Sequence, residues 1–449
     1  MTTPIADFLA RYAAGDTLRL HMPGHKGELV REDITEVAGA DSLYFADGII
    51  AESEANATAI FGAHTVYSAE GSSLSIRAML TLLARYARAR GMAPRLLAGR
   101  NAHATLVGAA ALLDITVDWL YPAAQESYLS CTVTPAALDA RLLAMAAAGE
   151  LPVAVYITSP DYLGHLADIG GLAAVCHRHG TLLAVDNAHG AYLHFLPTPA
   201  HPIDLGADLV CDSAHKTLPA LTGAGYLHIA DAAPALLHEG VKEAMALFGS
   251  TSPSYLILAS LDRLNAVLAG DYRARLADFL SLLPPLRAAL TDYGYRLIGD
   301  EPMKLTLAPG AIGYTGTALS ELLRAAGIEC EYADPDHTVL MLTPEVGKAG
   351  LLRLQSVLLS APRYQARQVS LPAYWHPVVR FSPREALLMP RRVLPCADCL
   401  GMAAAAVTVA CPPAVPVLVA GEVITQEALQ LLAYYGVRTL SVIDEGVHK

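Results

Sequence analysis

The sequence predicts an α/β fold with a mostly parallel sheet and a smaller C-terminal α/β domain, on three observations. Between about residues 65 and 230, short apolar runs of strand length alternate with helix-length amphipathic stretches. Asp186 and Lys216 sit at the carboxyl ends of two of those runs, where such sheets bind ligands. The length, 449 residues with 53% hydrophobic and 16% charged side chains, supplies core for two or three domains. The division expected is an N-terminal segment 1–60, a large domain 61–290 and a small domain 291–449.

The elements follow in order. Ile5–Ala14 reads as a short amphipathic helix. His21-Met22-Pro23-Gly24-His25-Lys26-Gly27 is a polar turn, either connector or functional loop. Leu74, Ala78, Leu82, Leu83 and Tyr86 recur at helical spacing, Arg85, Arg88 and Arg90 suit the helix end, and Gly91 stops it. Leu96–Gly99, Ile115–Tyr121, Val153–Ile157, Thr181–Val185, Asp208–Cys211 and Tyr226–Ile229 read as strands. Helices are expected at Leu106–Leu113, Pro135–Ala148 and Ile169–His179, with a loop over Pro122–Thr134. One long helix is expected from Tyr255 to about Leu283, broken by Pro284-Pro285. Leu305–Leu307, Ile328–Tyr332 and Val339–Thr343 read as strands of the small domain, and Gly316–Ala326 as a helix.

Composition excludes some classes. A formal net charge of −12 argues against nucleic-acid binding. Met402–Gly421 is apolar and uncharged, but Pro412, Pro413 and Pro416 argue against a membrane-spanning helix; a buried strand with an irregular turn is expected. Met1-Thr2-Thr3-Pro4 lacks a secretory leader's basic start, and the seven cysteines are irregularly spaced, which together suggest a reducing cytoplasm. Cys396-Ala397-Asp398-Cys399 is a single C-x-x-C pair, weak evidence for zinc or redox chemistry; no metal is expected.

Four features converge on one chemistry. Gly71-Ser72-Ser73 opens a helix, which is either an anion site or a plain N-cap. His103 follows a strand, in Arg100-Asn101-Ala102-His103. Asp186 ends another strand, with Ala188 and His189 behind it. Lys216 follows a third, beside His215. A lone lysine is usually an exposed surface residue, but a phosphate anchor, a carboxylate and a lysine able to form an imine are the parts that hold pyridoxal 5'-phosphate. No Gly-x-Gly-x-x-Gly or Walker sequence competes for the phosphate.

The chain resembles the ornithine/lysine/arginine decarboxylase family in its short form. The resemblance rests on His21–Gly27, Glu70-Gly71-Ser72-Ser73, Arg100–His103, Val185-Asp186-Asn187-Ala188-His189-Gly190, Asp212–Thr222, Ser250–Tyr255 and Gly421-Glu422, in the family's order along nearly the whole chain. It implies an aspartate-aminotransferase-like fold with a seven-stranded-type sheet, pyridoxal phosphate, and decarboxylation of an amino acid, most plausibly a basic one, to a polyamine-type amine. It also implies residue roles. Lys216 would carry the cofactor, Asp186 would pair with its ring nitrogen, and His103 and Ala188 would flank the ring. Gly71, Ser72, Ser73, Ser213 and His215 would hold the phosphate, and His189 would sit beside the cofactor oxygen and the substrate. Thr251, in the Ser250-Thr251-Ser252 loop, would reach the neighbouring subunit's phosphate in a homodimer with shared sites.

Departures from the family pattern occur at Glu70, at Asn187 (Glu in Asp-Glu-Ala-His-Gly), and at Cys411 to Pro416, including Ala414. They keep two alternatives open: an aminotransferase or carbon–carbon lyase of the same fold, and a non-catalytic cofactor-binding paralogue. Lys216, His189 and Asp186 are the catalytic candidates, with His189 or Lys216 returning a proton to the α-carbon. Glu331 is the carboxylate to test against a basic substrate, or else a solvated strand-edge residue.

Overall fold

The computed structural model describes residues 1–121, 127–367, 375–406 and 414–447. Seven strands form one sheet: β1 His64–Ser68, β2 Arg95–Gly99, β3 Thr116–Leu120, β4 Ala154–Thr158, β5 Leu182–Asp186, β6 Leu209–Asp212 and β7 Gly225–Ile229. Their order is β1-β7-β6-β5-β4-β2-β3. The pairs β2–β3, β4–β5 and β5–β6 are parallel, and β7 runs antiparallel to both β6 and β1. Every residue of β5, β6 and β7 is buried. Strands covered on both faces have no alternating pattern, which is why the sequence shows them as continuous apolar runs.

The chain divides into two compact units. The first comprises residues 1–93, 142–159 and 169–277, and the second residues 94–141, 160–168 and 278–449. The N-terminal segment 1–60 therefore lies in the first unit and 291–449 in the second, while 61–290 is shared between them.

In the first unit, helix Gly71–Ala89 buries Leu74, Ala78, Leu82 and Leu83, the stripe its sequence period predicts. The helix expected from Tyr255 to Leu283 is instead two, Tyr255–Ala269 and Tyr272–Ser281, parted at Gly270, whose φ of −92° and ψ of −117° lie outside the helical region. Pro284 and Pro285 do not end a helix. They occupy the first turn of the next, Leu283–Tyr293. First-turn residues donate no intrahelical bond, so the missing proline N–H costs nothing there.

In the second unit, β8 Arg296–Ile298, β9 Lys304–Ala308, β10 Tyr332–Ala333 and β11 Thr338–Met341 form an antiparallel sheet in the order β10-β11-β9-β8. Of the strand expected at Ile328–Tyr332, only Tyr332 falls in a strand, the two-residue β10. A further antiparallel pair, β12 Arg391–Pro395 with β13 Thr439–Ile443, has no counterpart in the sequence reading. The expected strand in Met402–Gly421 falls partly on 407–413, outside the described residues, as does Cys411. Its described part makes isolated bridges at Ala403 and Ala404. None of the described cysteines forms a disulfide. The Cys396 and Cys399 thiols donate separately to the carbonyls of Val437 (3.5 Å) and Pro395 (3.2 Å). No helix among the described residues is long and apolar enough to cross a membrane.

One ion pair ties distant parts of this unit together. Arg100 Nη2 lies 2.9 Å from Glu422 Oε2, with both side chains 2% exposed. The guanidinium also donates to the carbonyls of Pro416 (3.0 Å) and Val417 (3.1 Å) and sits 5.1 Å from the Trp119 ring centroid. Glu422 Oε2 in turn accepts the Val419 N–H at 2.7 Å.

Candidate active site

The first unit brings most of the predicted residues to the carboxyl ends of β5 and β6. Asp186, 3% exposed, stands beside Cys211 in the parallel register. Its Oδ2 accepts the Tyr156 hydroxyl at 3.2 Å. Its Oδ1 accepts the Ala188 N–H at 3.2 Å and the Cys211 thiol at 3.5 Å. Burial, and then the charge of Asp186, push the Tyr156 and Cys211 protons well above their ordinary pKa values. Both therefore remain neutral donors around a carboxylate. Neither was predicted. Tyr and Cys inside an apolar run look like ordinary core, and only the strand register sets Cys211 against Asp186.

Lys216 lies in the one-turn helix Ala214–Thr217 that follows β6. Its Nζ is 3.0 Å from His189 Nε2, a pairing that the sequence spacing could not state. Close by, Ser213 Oγ accepts the Ser72 N–H at 3.3 Å and donates to Ser72 Oγ at 2.9 Å. The His215 Nδ1–H donates to the Ala224 carbonyl at 2.9 Å, which fixes its ring. Gly71 opens the long helix with φ of +63°, and a Cβ there would lie 3.4 Å from His215 Cε1 and 4.0 Å from Ser213 Oγ. The helix start, Ser213 and His215 thus lie together, and helix N–H groups and hydroxyls are the donors an oxyanion takes. Gly71→Ala is expected to cost about 1 kcal/mol from the left-handed backbone alone. It should also weaken cofactor retention, read as a higher midpoint when apoprotein is titrated with pyridoxal phosphate by absorbance.

The other predicted residues are placed as follows. Ser73 is the next residue of the Gly71 helix. Thr251 is exposed on its loop, which Glu70 holds by accepting the Ser250 N–H at 2.7 Å. His103 belongs to the second unit and caps helix Ala104–Leu113; its Nδ1 accepts the Thr105 N–H at 3.1 Å. Glu331, also in the second unit, is exposed and accepts the Tyr162 hydroxyl at 3.1 Å. The His21–Gly27 loop is closed by its own bonds, Lys26 Nζ to the His21 carbonyl and Gly27 N–H to His25 Nδ1.

Behind the Lys216 turn lies a polar network the sequence did not reveal. Asp212 is fully buried, and its Oδ2 accepts from His201 Nε2 (3.0 Å) and His228 Nε2 (3.1 Å). Because His201 Nδ1 accepts the Ile203 N–H, its Nε2 carries the proton. Asn187 Nδ2 donates to Asp212 Oδ1 at 2.7 Å. This accounts for asparagine at 187: an amide supplies a donor to Asp212, whereas a glutamate would set a second buried carboxylate against it. Burial alone would raise the Asp212 pKa. The two histidines outweigh it and hold the carboxyl well below the usual range. A depressed carboxyl stabilises the fold above its unfolded value of about 3.9, and that stability is lost as pH falls through the folded value. Urea midpoints of the parent protein are therefore expected to start dropping below about pH 5 and to go on dropping well below pH 3. Asp212→Asn, less stable at neutral pH, should lose less over the same interval.

The sequence matches the family Orn/Lys/Arg decarboxylase, major domain, over residues 26–292, more than half of the chain. The protein belongs to that family. This decarboxylase is 29% identical to the uncharacterized protein YaaO of Bacillus subtilis, over 96% of this chain and 94% of that protein. It is 26% identical to an arginine decarboxylase of the same organism, over 96% of this chain and 93% of the relative. Its fold matches the Francisella novicida lysine decarboxylase LdcF with a TM-score of 0.79 at 18% identity, covering 98% of this chain and 81% of that one. A Pseudomonas aeruginosa lysine decarboxylase superposes with a TM-score of 0.80, also at 18% identity, over 98% of this chain and 80% of that one. The residues present fit the cofactor of such an enzyme. Ser72, Ser213 and His215 lie together at a helix start, Asp186 is a buried carboxylate already held by neutral donors, and Lys216 follows β6 with its Nζ on His189.

Proposed function

We propose that this decarboxylase removes the α-carboxylate of a basic amino acid, arginine, lysine or ornithine, and uses pyridoxal 5'-phosphate held at Lys216. The reaction consumes one proton and releases carbon dioxide and the corresponding amine, a product of the kind used in polyamine synthesis. The carrying observation is the 3.0 Å contact of Lys216 Nζ with His189 Nε2, next to a serine-lined helix start and a buried Asp186.

When bound, the cofactor supplies an electron sink for the pair left on the α-carbon. Asp186 holds a proton on the ring nitrogen, because its carboxylate is desolvated and kept in place by Tyr156, Cys211 and the Ala188 N–H. Ser72, Ser73, Ser213 and His215 anchor the phosphate at the positive end of the Gly71–Ala89 helix. Ala188, whose N–H donates to Asp186, would lie against the ring. His189 and Lys216 share the return of a proton to the α-carbon, since either can pass it to the other. Glu331, which accepts the Tyr162 hydroxyl, is the carboxylate to test against a basic substrate. Thr251, exposed and on a pinned loop, reaches the phosphate of a second copy in a homodimer. The expected setting is the cytoplasm, where free thiols persist.

The test is a screen of the common amino acids, each labelled in its carboxyl group, with purified protein and cofactor. Labelled carbon dioxide and one amine are expected, from a basic amino acid. A keto acid with no carbon dioxide, or turnover of apolar amino acids only, would overturn the reading.

A further inference from the structure

In the second unit, β10 and β11 are joined by the turn Asp334-Pro335-Asp336-His337, closed by the Asp334 N–H on the His337 carbonyl at 3.0 Å. Two carboxylates and an imidazole thus stand side by side, and all three residues are buried. Each brings one atom of metal-ligand type within 4.8 Å of the other two. Asp334 Oδ1 is spent on the turn, accepting the N–H groups of Asp336 (2.8 Å) and His337 (2.7 Å). Its Oδ2 has only long contacts, the Tyr332 hydroxyl at 3.5 Å and His337 Nδ1 at 3.4 Å. Asp336, 6% exposed, accepts the Tyr434 hydroxyl on Oδ1 at 2.5 Å. Its Oδ2 is shut off from solvent and has no hydrogen-bond partner among the described residues. A buried acceptor left unmet costs about 1–3 kcal/mol. Burial, and Asp334 with it, push the Asp336 pKa up; the Tyr434 hydroxyl, His337 and Arg367 offset this only in part.

The contact between His337 and Asp334 points to what is missing. Nδ1 lies 3.3 Å from Oδ1 and 3.4 Å from Oδ2. A charge-assisted N–H···O bond is about 2.7–2.9 Å long. Two ligands held about 2.0–2.1 Å from a tetrahedral ion stand about 3.3–3.4 Å apart. Asp336 Oδ2 is closed to any molecule in solution, so what meets it is an ion small enough to sit between the side chains themselves.

We propose that this turn is a metal site, in which Asp334 Oδ2, Asp336 Oδ2 and His337 Nδ1 ligate one divalent ion of the zinc type. An imidazole with two carboxylates suits zinc, whereas calcium and magnesium take oxygen ligands alone. The ligands also have the outer support such sites need: Tyr434 holds Asp336 Oδ1, and the turn N–H groups hold Asp334 Oδ1. Asp336 and His337 line a cavity of about 710 Å³, which gives the ion a way in and supplies water for the remaining position. The ion's role is structural, tying the β10–β11 turn through Tyr434 to the helix Gln426–Tyr434. Every residue named lies in the second unit, and the site is independent of the chemistry at Lys216.

The test strips the full-length, cofactor-loaded protein with a chelator, dialyses it against zinc or calcium, and measures bound metal by elemental analysis. One zinc ion per chain is expected, bound at least tenfold more weakly by Asp336→Asn and by His337→Gln, with no calcium at the same concentration. Cys396→Ser is expected to bind zinc as the parent does. Zinc should raise the thermal midpoint of the parent and leave that of Asp336→Asn unmoved. Should both turn variants fail to fold, cobalt in the parent still decides: visible bands without a thiolate charge-transfer band are expected from oxygen and nitrogen ligands. Less than one zinc per chain, zinc binding that neither variant weakens, equal binding of calcium, or a cobalt–thiolate band would each overturn the proposal.

Discussion

Lys216→Ala is expected to lower the release of carbon dioxide by about 10³-fold or more, the scale of loss when a group acting as part of a catalytic unit is removed. The argument is geometric. Lys216 sits on a single helical turn whose start, Ser213, also binds Ser72 at the head of the helix Gly71–Ala89, proposed to hold the phosphate. A cofactor seated there is therefore presented to one amine, and its Nζ already contacts His189. Loss of the amine removes both the covalent tether and one partner of the proton-sharing pair. Borohydride should fix cofactor to the parent protein, recoverable on the peptide containing residue 216, and fix none there in the variant. Lys216→Arg keeps a cation beside His189 but cannot form the covalent link, so it should be as inactive as alanine. His189→Gln is expected to retain the link and lose about 10²-fold or more in rate, the usual contribution of a positioned proton donor. An unchanged circular dichroism spectrum separates these losses from misfolding. A Lys216→Ala enzyme with near-parental turnover would remove the assignment.

Glu422→Ala is expected to destabilise the protein by about 3–5 kcal/mol, because it leaves the Arg100 charge buried without its partner. The pair is 2% exposed on both sides. Burial nevertheless pushes the Glu422 pKa up, and Arg100 only partly opposes this. A raised carboxyl favours the protonated form in the folded state, so its contribution weakens as pH rises from about 4 through the folded value. The pair is therefore expensive to break without being strongly stabilising. Arg100→Met combined with Glu422→Leu should recover most of the loss, since apolar replacements remove both desolvated charges. Urea unfolding of the three variants checks this. A single variant at parental stability, or a double variant no better than the single, would contradict it.

Much of the site is legible because parallel strands announce their ends. β5 and β6 are buried on both faces and so read as unbroken apolar runs, and polar residues at or just beyond their ends, Asp186, His189, Ser213 and Lys216, are those proposed to meet a ligand. The small sheet is less so. β10 is two residues long, β12 is mostly exposed, and β12 and β13 pair across more than forty intervening residues. Pro284 and Pro285 were misread because a proline pair fits a helix start as well as a helix end, and local sequence alone does not say which.

The sequence by itself thus determined the α/β class, the family, and which side chains stand at the ends of the central strands. Hydrophobic periodicity and strand-end polarity are local properties, carried by neighbours in the chain. Only the tertiary structure decided what those side chains touch. Tyr156 and Cys211 on Asp186, His201, His228 and Asn187 on Asp212, and Arg100 on Glu422, 322 residues away, are pairings of buried polar groups. Burial obliges such groups to find partners, but the folded chain alone selects which ones.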